Sequence, residues 1–297
     1  MMYDRAMLIY NGKAGQQEAA TLLGSVTAVI APEVRELVLF QTQEPGDGER
    51  ACRERGSSFD LVLIMGGDGT VHECINGLAA LSEPPLVGIL PAGTCNDFAR
   101  SLNLPVDLVQ AAQQLMQGNR RMIDLGAAGD RVFTNFFGIG LITDASENIN
   151  TGLKGTLGRI SYFISTLQTV RSAEPFSYRL DWDKGTLEGE AVMIYVSNGR
   201  FLGTQSLPFP EEALEDGVMD VMIIREAGIP LLKEMLSRKN KGAWEPKDDS
   251  IHYFQTASLN LSTAEPMKAD TDGEKYMETP SALEVRKGAL EFLTGEV

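Results

Sequence analysis

The chain has 297 residues, enough for two domains. It carries 26 Lys and Arg against 41 Asp and Glu, a formal charge of −15, with 43% hydrophobic and 23% charged residues. That composition excludes wholesale disorder. The negative balance argues against general nucleic-acid binding and against attachment to anionic lipid by net charge. Cys52, Cys74 and Cys95 form no CxxC and no even-numbered framework, so a reducing compartment is expected. The first residues show no signal-peptide h-region, and no run reaches the roughly 18 apolar residues of a membrane span. A cytoplasmic protein follows as the expectation.

In chain order, the first third alternates strand and helix patterns. Ala6–Tyr10 reads as a buried strand, Gln16–Leu23 as a helix, Arg35–Phe40 as a strand and Asp47–Arg55 as a helix. Asp60–Met65 is a continuous apolar run of the kind buried on both faces of a parallel sheet. It enters Gly66-Gly67-Asp68-Gly69-Thr70 and then a helix, Val71–Ala80. Pro85–Leu90 is a fourth strand, followed by helices over Asp97–Leu102 and Val106–Gln117. Repeated βα units predict an open, mostly parallel α/β sheet.

The character changes between residues 120 and 130. Val132–Gly138, Phe176–Trp182, Thr186–Tyr195, Val218–Ile224, Ile251–Asn260 and Ala282–Val285 read as strands, interrupted by helical patterns at Gly158–Arg171 and Pro230–Lys239. This predicts a second, mainly antiparallel β domain. The expected domains are residues 1–125 and 126–288, with 289–297 returning to the first.

The chemistry concentrates at strand ends. Glycines in the Gly66–Thr70 turn let backbone approach a ligand, and the following helix presents N–H groups and a positive dipole end suited to phosphate. Asp68 is unusual in a phosphate loop; it makes sense as a cation ligand, direct or through water, or as the holder of a network. Pro91-Ala92-Gly93-Thr94-Cys95-Asn96-Asp97 forms a second such turn, and Asn11-Gly12-Lys13-Ala14-Gly15 a third, with Lys13 adding positive charge. Ligands of open α/β sheets sit at the carboxyl ends of strands, so the three turns point to one crevice. Neither a Walker P-loop nor a dinucleotide fingerprint occupies the Gly66–Thr70 turn.

These residues resemble the bacterial diacylglycerol kinase and lipid kinase family, whose catalytic domain also occurs in sphingosine and ceramide kinases. The resemblance rests on GGDGT with Glu73 behind it, PxGTxNDFAR at Pro91–Arg100 and Ile123-Asp124-Leu125-Gly126. It continues through Lys154–Arg159, Ser197-Asn198-Gly199, Glu215–Asp220 and Asp272-Gly273-Glu274. GGDGT alone is shared with NAD kinases and phosphofructokinase-like folds. The resemblance implies an α/β nucleotide-binding domain and a C-terminal β-sandwich with the active site between them.

It further implies an ATP site drawn from Asn11, Gly12, Lys13, Gly15, Thr42, Gly66, Gly67, Asp68, Gly69, Thr70, Val71, His72, Glu73, Gly93, Thr94, Asn96 and Glu274. Asp272 would act as general base, and Asp68, Asp97 and Asp124 would form a network with catalytic Mg²⁺. Asp216, with the carbonyls of Ala213 and Val218, would hold a second, structural Mg²⁺. Read locally, Asp272-Gly273 is an ordinary hairpin turn and Asp97 a helix cap; His72 reads as a cap or nucleotide-edge residue, His252 as structural, and the cysteines as packing residues.

The expected activity is ATP- and Mg²⁺-dependent phosphorylation of a lipid hydroxyl, foremost diacylglycerol to phosphatidate. Phosphatidylglycerol, undecaprenol or a sphingoid base is the alternative acceptor. NAD kinase and a non-catalytic nucleotide- or lipid-binding regulator are the more distant readings. Transient contact with a membrane surface follows from the substrate. Arg238, Lys239, Lys241, Trp244 and Lys247 form a cationic–aromatic group suited to such a surface, and Lys154, Arg159 and Arg171 a second cationic group. Homodimerisation rests on the resemblance alone.

Overall fold

The structure, a computed structural model, describes residues 2–12, 16–143, 174–210, 213–226, 244–246 and 249–296, side chains at 16–19 and 275–276 excepted. The helices expected at Gly158–Arg171 and Pro230–Lys239 lie outside the described residues, as do Lys13, Ala14 and Gly15 and both cationic groups apart from Trp244.

The chain forms two compact units, residues 1–123 with 288–297, and residues 124–287. The first begins with β1 (Tyr3–Asn11), α1 (Gln16–Ile30), β2 (Val34–Thr42), α2 (Asp47–Arg55), β3 (Leu61–Gly66) and α3 (Asp68–Leu78). It continues with β4 (Leu86–Pro91), α4 (Asp97–Ser101), α5 (Leu108–Leu115) and the start of β5 (Arg120–Ala128). The sheet order is β2-β1-β3-β4, all parallel. β3 and β4 are buried at every residue, which is why they read as unbroken apolar runs.

Helix ends follow their local chemistry. Asp107 caps α5 by accepting the Gln110 N–H at 2.9 Å. α2 carries Asp47 and Glu49 in its first turn and Arg53 and Arg55 in its last, in line with the helix dipole. α2 lies close on α3 because Gly77 has no side chain: a Cβ there would stand 2.4 Å from the Glu49 carbonyl oxygen.

The second unit holds β6 (Arg131–Phe133), β7 (Phe136–Gly140), β8 (Phe176–Trp182), β9 (Gly185–Ala191) and β10 (Met193–Ser197). The short β11 (Phe201–Leu202) and β12 (Gln205–Ser206) come next, then β13 (Met219–Ile224), β14 (Ile251–Thr256), β15 (Ser258–Thr263), β16 (Lys268–Thr271) and β17 (Glu274–Glu278). β18 (Ser281–Leu293) closes the series. One antiparallel sheet runs β14-β13-β10-β7-β16-β17; the other pairs β9, β8, β15 and the first half of β18. Between them lies a core built from Phe137, Ile194, Val196, Val221 and Ile223 on one side and Tyr178, Leu180, Leu259, Leu261 and Leu283 on the other. This is a β-sandwich.

β13 shows the strand period directly. Met219, Val221 and Ile223 enter the sandwich core, whereas Met222 and Ile224 face the opposite side, against Leu202, Leu207 and Phe209. Trp244 packs on that second face, its ring 4.8 Å from Tyr253 and 6.1 Å from Phe209. The indole expected to meet a membrane is therefore turned onto the protein's own aromatic cluster.

Four sequence readings need correction in detail. Val132–Gly138, Thr186–Tyr195 and Ile251–Asn260, each read as one strand, are each two. The expected Ala282–Val285 strand is the much longer β18, whose end joins the first unit with Phe292 opposite Val87 of β4.

Candidate active site

Parallel register carries the functional turns to one sheet edge. Asn11 lies opposite Thr42, and Gly66 opposite Pro91, so β1, β2, β3 and β4 deliver their following turns along the same carboxyl rim. At that rim Asn11, Gly69, Ala92, Gly93 and Thr94 are exposed, Gly12, Gly67 and Thr70 half-buried, and Thr42 buried with its hydroxyl 3.4 Å from the Tyr10 carbonyl oxygen.

The two glycine-containing turns are locked together. α3 begins at Asp68, three residues earlier than the sequence reading, so Asp68, Gly69 and Thr70 form its first turn, where N–H groups have no intrahelical acceptor. The Asp68 carboxylate reaches across the rim: Oδ1 accepts the Asp97 N–H at 2.8 Å and Oδ2 the Asn96 N–H at 3.0 Å. Asn96 is left-handed, with φ 53°, and occupies the cap position of α4; Asp97, expected as the cap, is the first residue of that helix and fully buried. The Asn96 side chain closes its own turn, accepting the Gly93 N–H at 2.8 Å and donating to the Gly93 carbonyl at 2.9 Å.

Gly67 and Gly93 then meet backbone to backbone. A Cβ on Gly93 would lie 2.4 Å from the Gly67 Cα, and one on Gly67 3.0 Å from the Gly93 Cα. Gly93→Ala is therefore expected to prise the two turns apart. Overpacking of this kind costs about 1–3 kcal/mol; a lower melting temperature, measured by calorimetry, is the expected outcome.

His72 is buried in α3, its Nε2 3.3 Å from Asn76 Nδ2, while Glu73 is half-buried beside it. Cys52 and Cys74 are buried free thiols; contact with Cys52, then burial, pushes the Cys74 thiol well up, so Cys74 is not a ready nucleophile.

The second unit carries the remaining candidates. Asp272, 4% exposed, stands at the β16–β17 turn with φ 53°. Its Oδ2 accepts the Thr134 N–H at 2.8 Å and the Thr134 hydroxyl at 3.0 Å. Its Oδ1 accepts the Asn135 N–H at 2.8 Å and the Phe136 N–H at 3.0 Å. Asp272-Gly273 is thus a hairpin turn and a carboxylate in a nest of three consecutive backbone N–H groups. Sequence reading missed Thr134, Asn135 and Phe136, because a backbone nest leaves no side-chain signature. Glu274, next to this turn on β17, is half-buried.

Asp124 is also in this unit. Its N–H bonds the Leu214 carbonyl at 2.8 Å and its carboxylate accepts the Gly217 N–H at 2.7 Å, so it is tied to the Asp216 loop. Within that loop Asp216 Oδ1 accepts the Val218 N–H at 3.0 Å, and Ala213 is buried. Nearby Asp220 is buried, bonded by the Tyr253 hydroxyl at 2.6 Å and Gln255 at 3.0 Å; burial pushes its carboxyl up to about 7, and Asp216 adds to the rise. Burial raises the Tyr253 phenol, with Asp220 contributing. His252 is held below its ordinary value by burial and Arg225.

Among the described residues no three His, Cys, Asp or Glu side chains converge as a ready metal cage. A hard cation here would draw on single carboxylates supplemented by carbonyls, water or phosphate, the usual pattern for Mg²⁺. The Asp216 loop and the Asp68 rim both offer that kind of donor. No helix of the described residues is long and apolar enough to cross a membrane.

Residues 5–128 match the diacylglycerol kinase catalytic domain, and residues 138–294 the YegS C-terminal NAD kinase beta sandwich-like domain. A Staphylococcus aureus (strain JH9) protein named "Putative lipid kinase" is 31% identical over 98% of this chain and 97% of its own. A Bacillus anthracis (strain Sterne) crystal structure titled as a "putative diacylglycerol kinase" superposes with a TM-score of 0.90 at 35% identity, covering 99% of this chain and 96% of that one. A second structure from that organism, described as a diacylglycerol kinase, gives 0.88 at 34%, covering 99% and 98%. The chain belongs to the diacylglycerol kinase and lipid kinase family.

Proposed function

We propose that this protein uses ATP and Mg²⁺ to phosphorylate a lipid hydroxyl, converting diacylglycerol to phosphatidate. The observation that carries the nucleotide half of this reading is the Asp68 lock, which joins the Gly66–Thr70 turn to the Gly93–Asp97 turn and leaves an exposed, glycine-lined rim at the start of α3. In the proposal, N–H groups of the α3 first turn and the rim glycines bind phosphate oxygens, with Thr94 beside them, and the resemblance assigns Lys13 to the same site. Asn11, Thr42, His72, Glu73 and Glu274 complete the proposed nucleotide site. When bound, Mg²⁺ neutralises charge on the transferring phosphate; Asp68, Asp97 and Asp124 would hold it directly or through water, and Asp216 with the Ala213 and Val218 carbonyls would hold a structural ion.

Asp272 is the proposed acceptor of the lipid hydroxyl proton as oxygen attacks the γ-phosphorus and ADP leaves. Among the described residues, Thr134, Asn135 and Phe136 place four hydrogen bonds on its carboxylate and stabilise the anion. A backbone N–H cannot turn away, but the Thr134 hydroxyl is a rotor. Its rotation would open the lone pair that the substrate hydroxyl needs. Contact with a membrane surface follows from the acceptor and is part of the same proposal.

The experiment is an acceptor panel: diacylglycerol, phosphatidylglycerol, undecaprenol and a sphingoid base, each in mixed micelles with Mg²⁺-ATP, and NAD as soluble control. Phosphorylated diacylglycerol as the main product is expected. A different phosphorylated lipid would retain the mechanism and replace the acceptor; phosphorylation of NAD alone would overturn the lipid reading.

A further inference from the structure

The geometry points to Asn198 as a positioning residue that holds the carboxylate of Asp272 in place. Thr134 and Asn135 join β6 to β7, Phe136 is the first residue of β7, and all three direct their N–H groups at one carboxylate. Such a curl needs support on its carbonyl side as well. Asn198 supplies it twice: its Nδ2 donates to the Thr134 carbonyl at 3.2 Å, and its backbone N–H donates to the Asn135 carbonyl at 2.9 Å. The Gly199 N–H and the Ser197 hydroxyl add to the same Asn135 carbonyl, at 3.0 and 3.1 Å. Asp272 returns its own N–H to the Phe136 carbonyl at 3.1 Å. The curl is therefore held between Asp272 on one side and residues 197–199 on the other.

The same Asn198 amide also donates to the Asp124 carbonyl at 2.9 Å. One side chain thus joins the backbone beside Asp124 to the cradle of Asp272. Asn198 is fully buried, and among the described residues its Oδ1 has no hydrogen-bond partner. The Oδ1 of Asn135, 2% exposed, has none either. Unsatisfied buried oxygens are costly, and an apolar residue would fill the space without them. What an apolar residue could not supply is the two-way donor that fixes the curl.

The inference rests on the role proposed for Asp272, and its test separates the two. In the full chain, Asn198→Ala is expected to lower kcat for the lipid acceptor by about 10–100-fold, the scale of a small misplacement of a catalytic group. The KM for ATP should stay within about twofold, since among the described residues no hydrogen bond of Asn198 reaches the nucleotide turns. Gly199→Ala removes no donor, but its Cβ would stand 2.9 Å from Asn135 Oδ1 and 3.1 Å from the Asn135 Cα. It should give the same kcat-specific loss, and it covers the case in which Asn198→Ala does not fold. Amide hydrogen exchange gives a reading that needs no lipid: faster exchange in Asn198→Ala confined to Thr134–Phe136 and Asp272–Gly273, with β8 and β9 unchanged. Unchanged kcat in both variants, a parallel rise in the KM for ATP, or exchange rising evenly through the second unit would overturn the proposal. If the wild type phosphorylates no lipid, the lipid reading fails, and the exchange pattern alone decides whether Asn198 holds the cradle.

Discussion

Replacing Asp68 by asparagine is expected to lower kcat/KM for ATP about 100–1,000-fold, because hydrogen bonds to a charged acceptor contribute about 1.5–3 kcal/mol each. The carboxylate accepts the Asn96 and Asp97 N–H groups with separate oxygens. An amide of the same shape can accept only one of them and points its own NH₂ at the other. The rim then loses its cross-link at the point where α3 and α4 both begin. The loss should show in the KM for ATP as well as in kcat, and as a fall in melting temperature. Isothermal titration with a non-hydrolysable ATP analogue checks the binding part. Unchanged nucleotide affinity in Asp68→Asn would mean that the locked turns are a structural joint and not a phosphate cradle.

Asp272→Asn has the second large effect, for two reasons that can be separated. A general base contributes about 100–10,000-fold to rate, so turnover should fall by about that much if Asp272 takes the proton. The same change aims an NH₂ group at a nest whose three backbone N–H groups can only donate, so the second unit should also lose stability. Thr134→Val separates the two effects. It deletes the rotor hydroxyl, leaves the carboxylate and its three N–H donors, and should keep turnover within about tenfold of wild type. Full turnover in a folded Asp272→Asn protein, measured with saturating lipid, would remove Asp272 from the chemistry.

How much of this was legible in the sequence depends on the kind of interaction. Asp60–Met65 and Pro85–Leu90 gave strands within a residue or two of β3 and β4, because burial on both faces leaves an uninterrupted apolar run. Asp47–Arg55 matched α2, whose end charges suit its dipole. The start of α3 was placed late because Asp68, Gly69 and Thr70 are poor helix formers, and tertiary context overrides propensity.

Of the candidate site, the strand-end turns were readable because parallel strands in register bring their ends to one edge. The Asp68 lock was not, since it joins side chain to backbone across 28 and 29 residues. The Asp272 nest spans 136 to 138 residues and uses main-chain donors that any sequence possesses. Asp68, Asp97 and Asp124 were grouped by resemblance. The structure binds Asp68 directly to the Asp97 backbone and Asp124 to the loop of Asp216.

The most direct test of the central claim is transfer of label from ATP carrying radioactive γ-phosphorus to diacylglycerol in mixed micelles with Mg²⁺. The account predicts labelled phosphatidate in the organic phase, one per ATP consumed, and none when the label is at the α-phosphorus. Label that remains in the aqueous phase with every lipid acceptor, from a folded protein that still binds ATP, would contradict it.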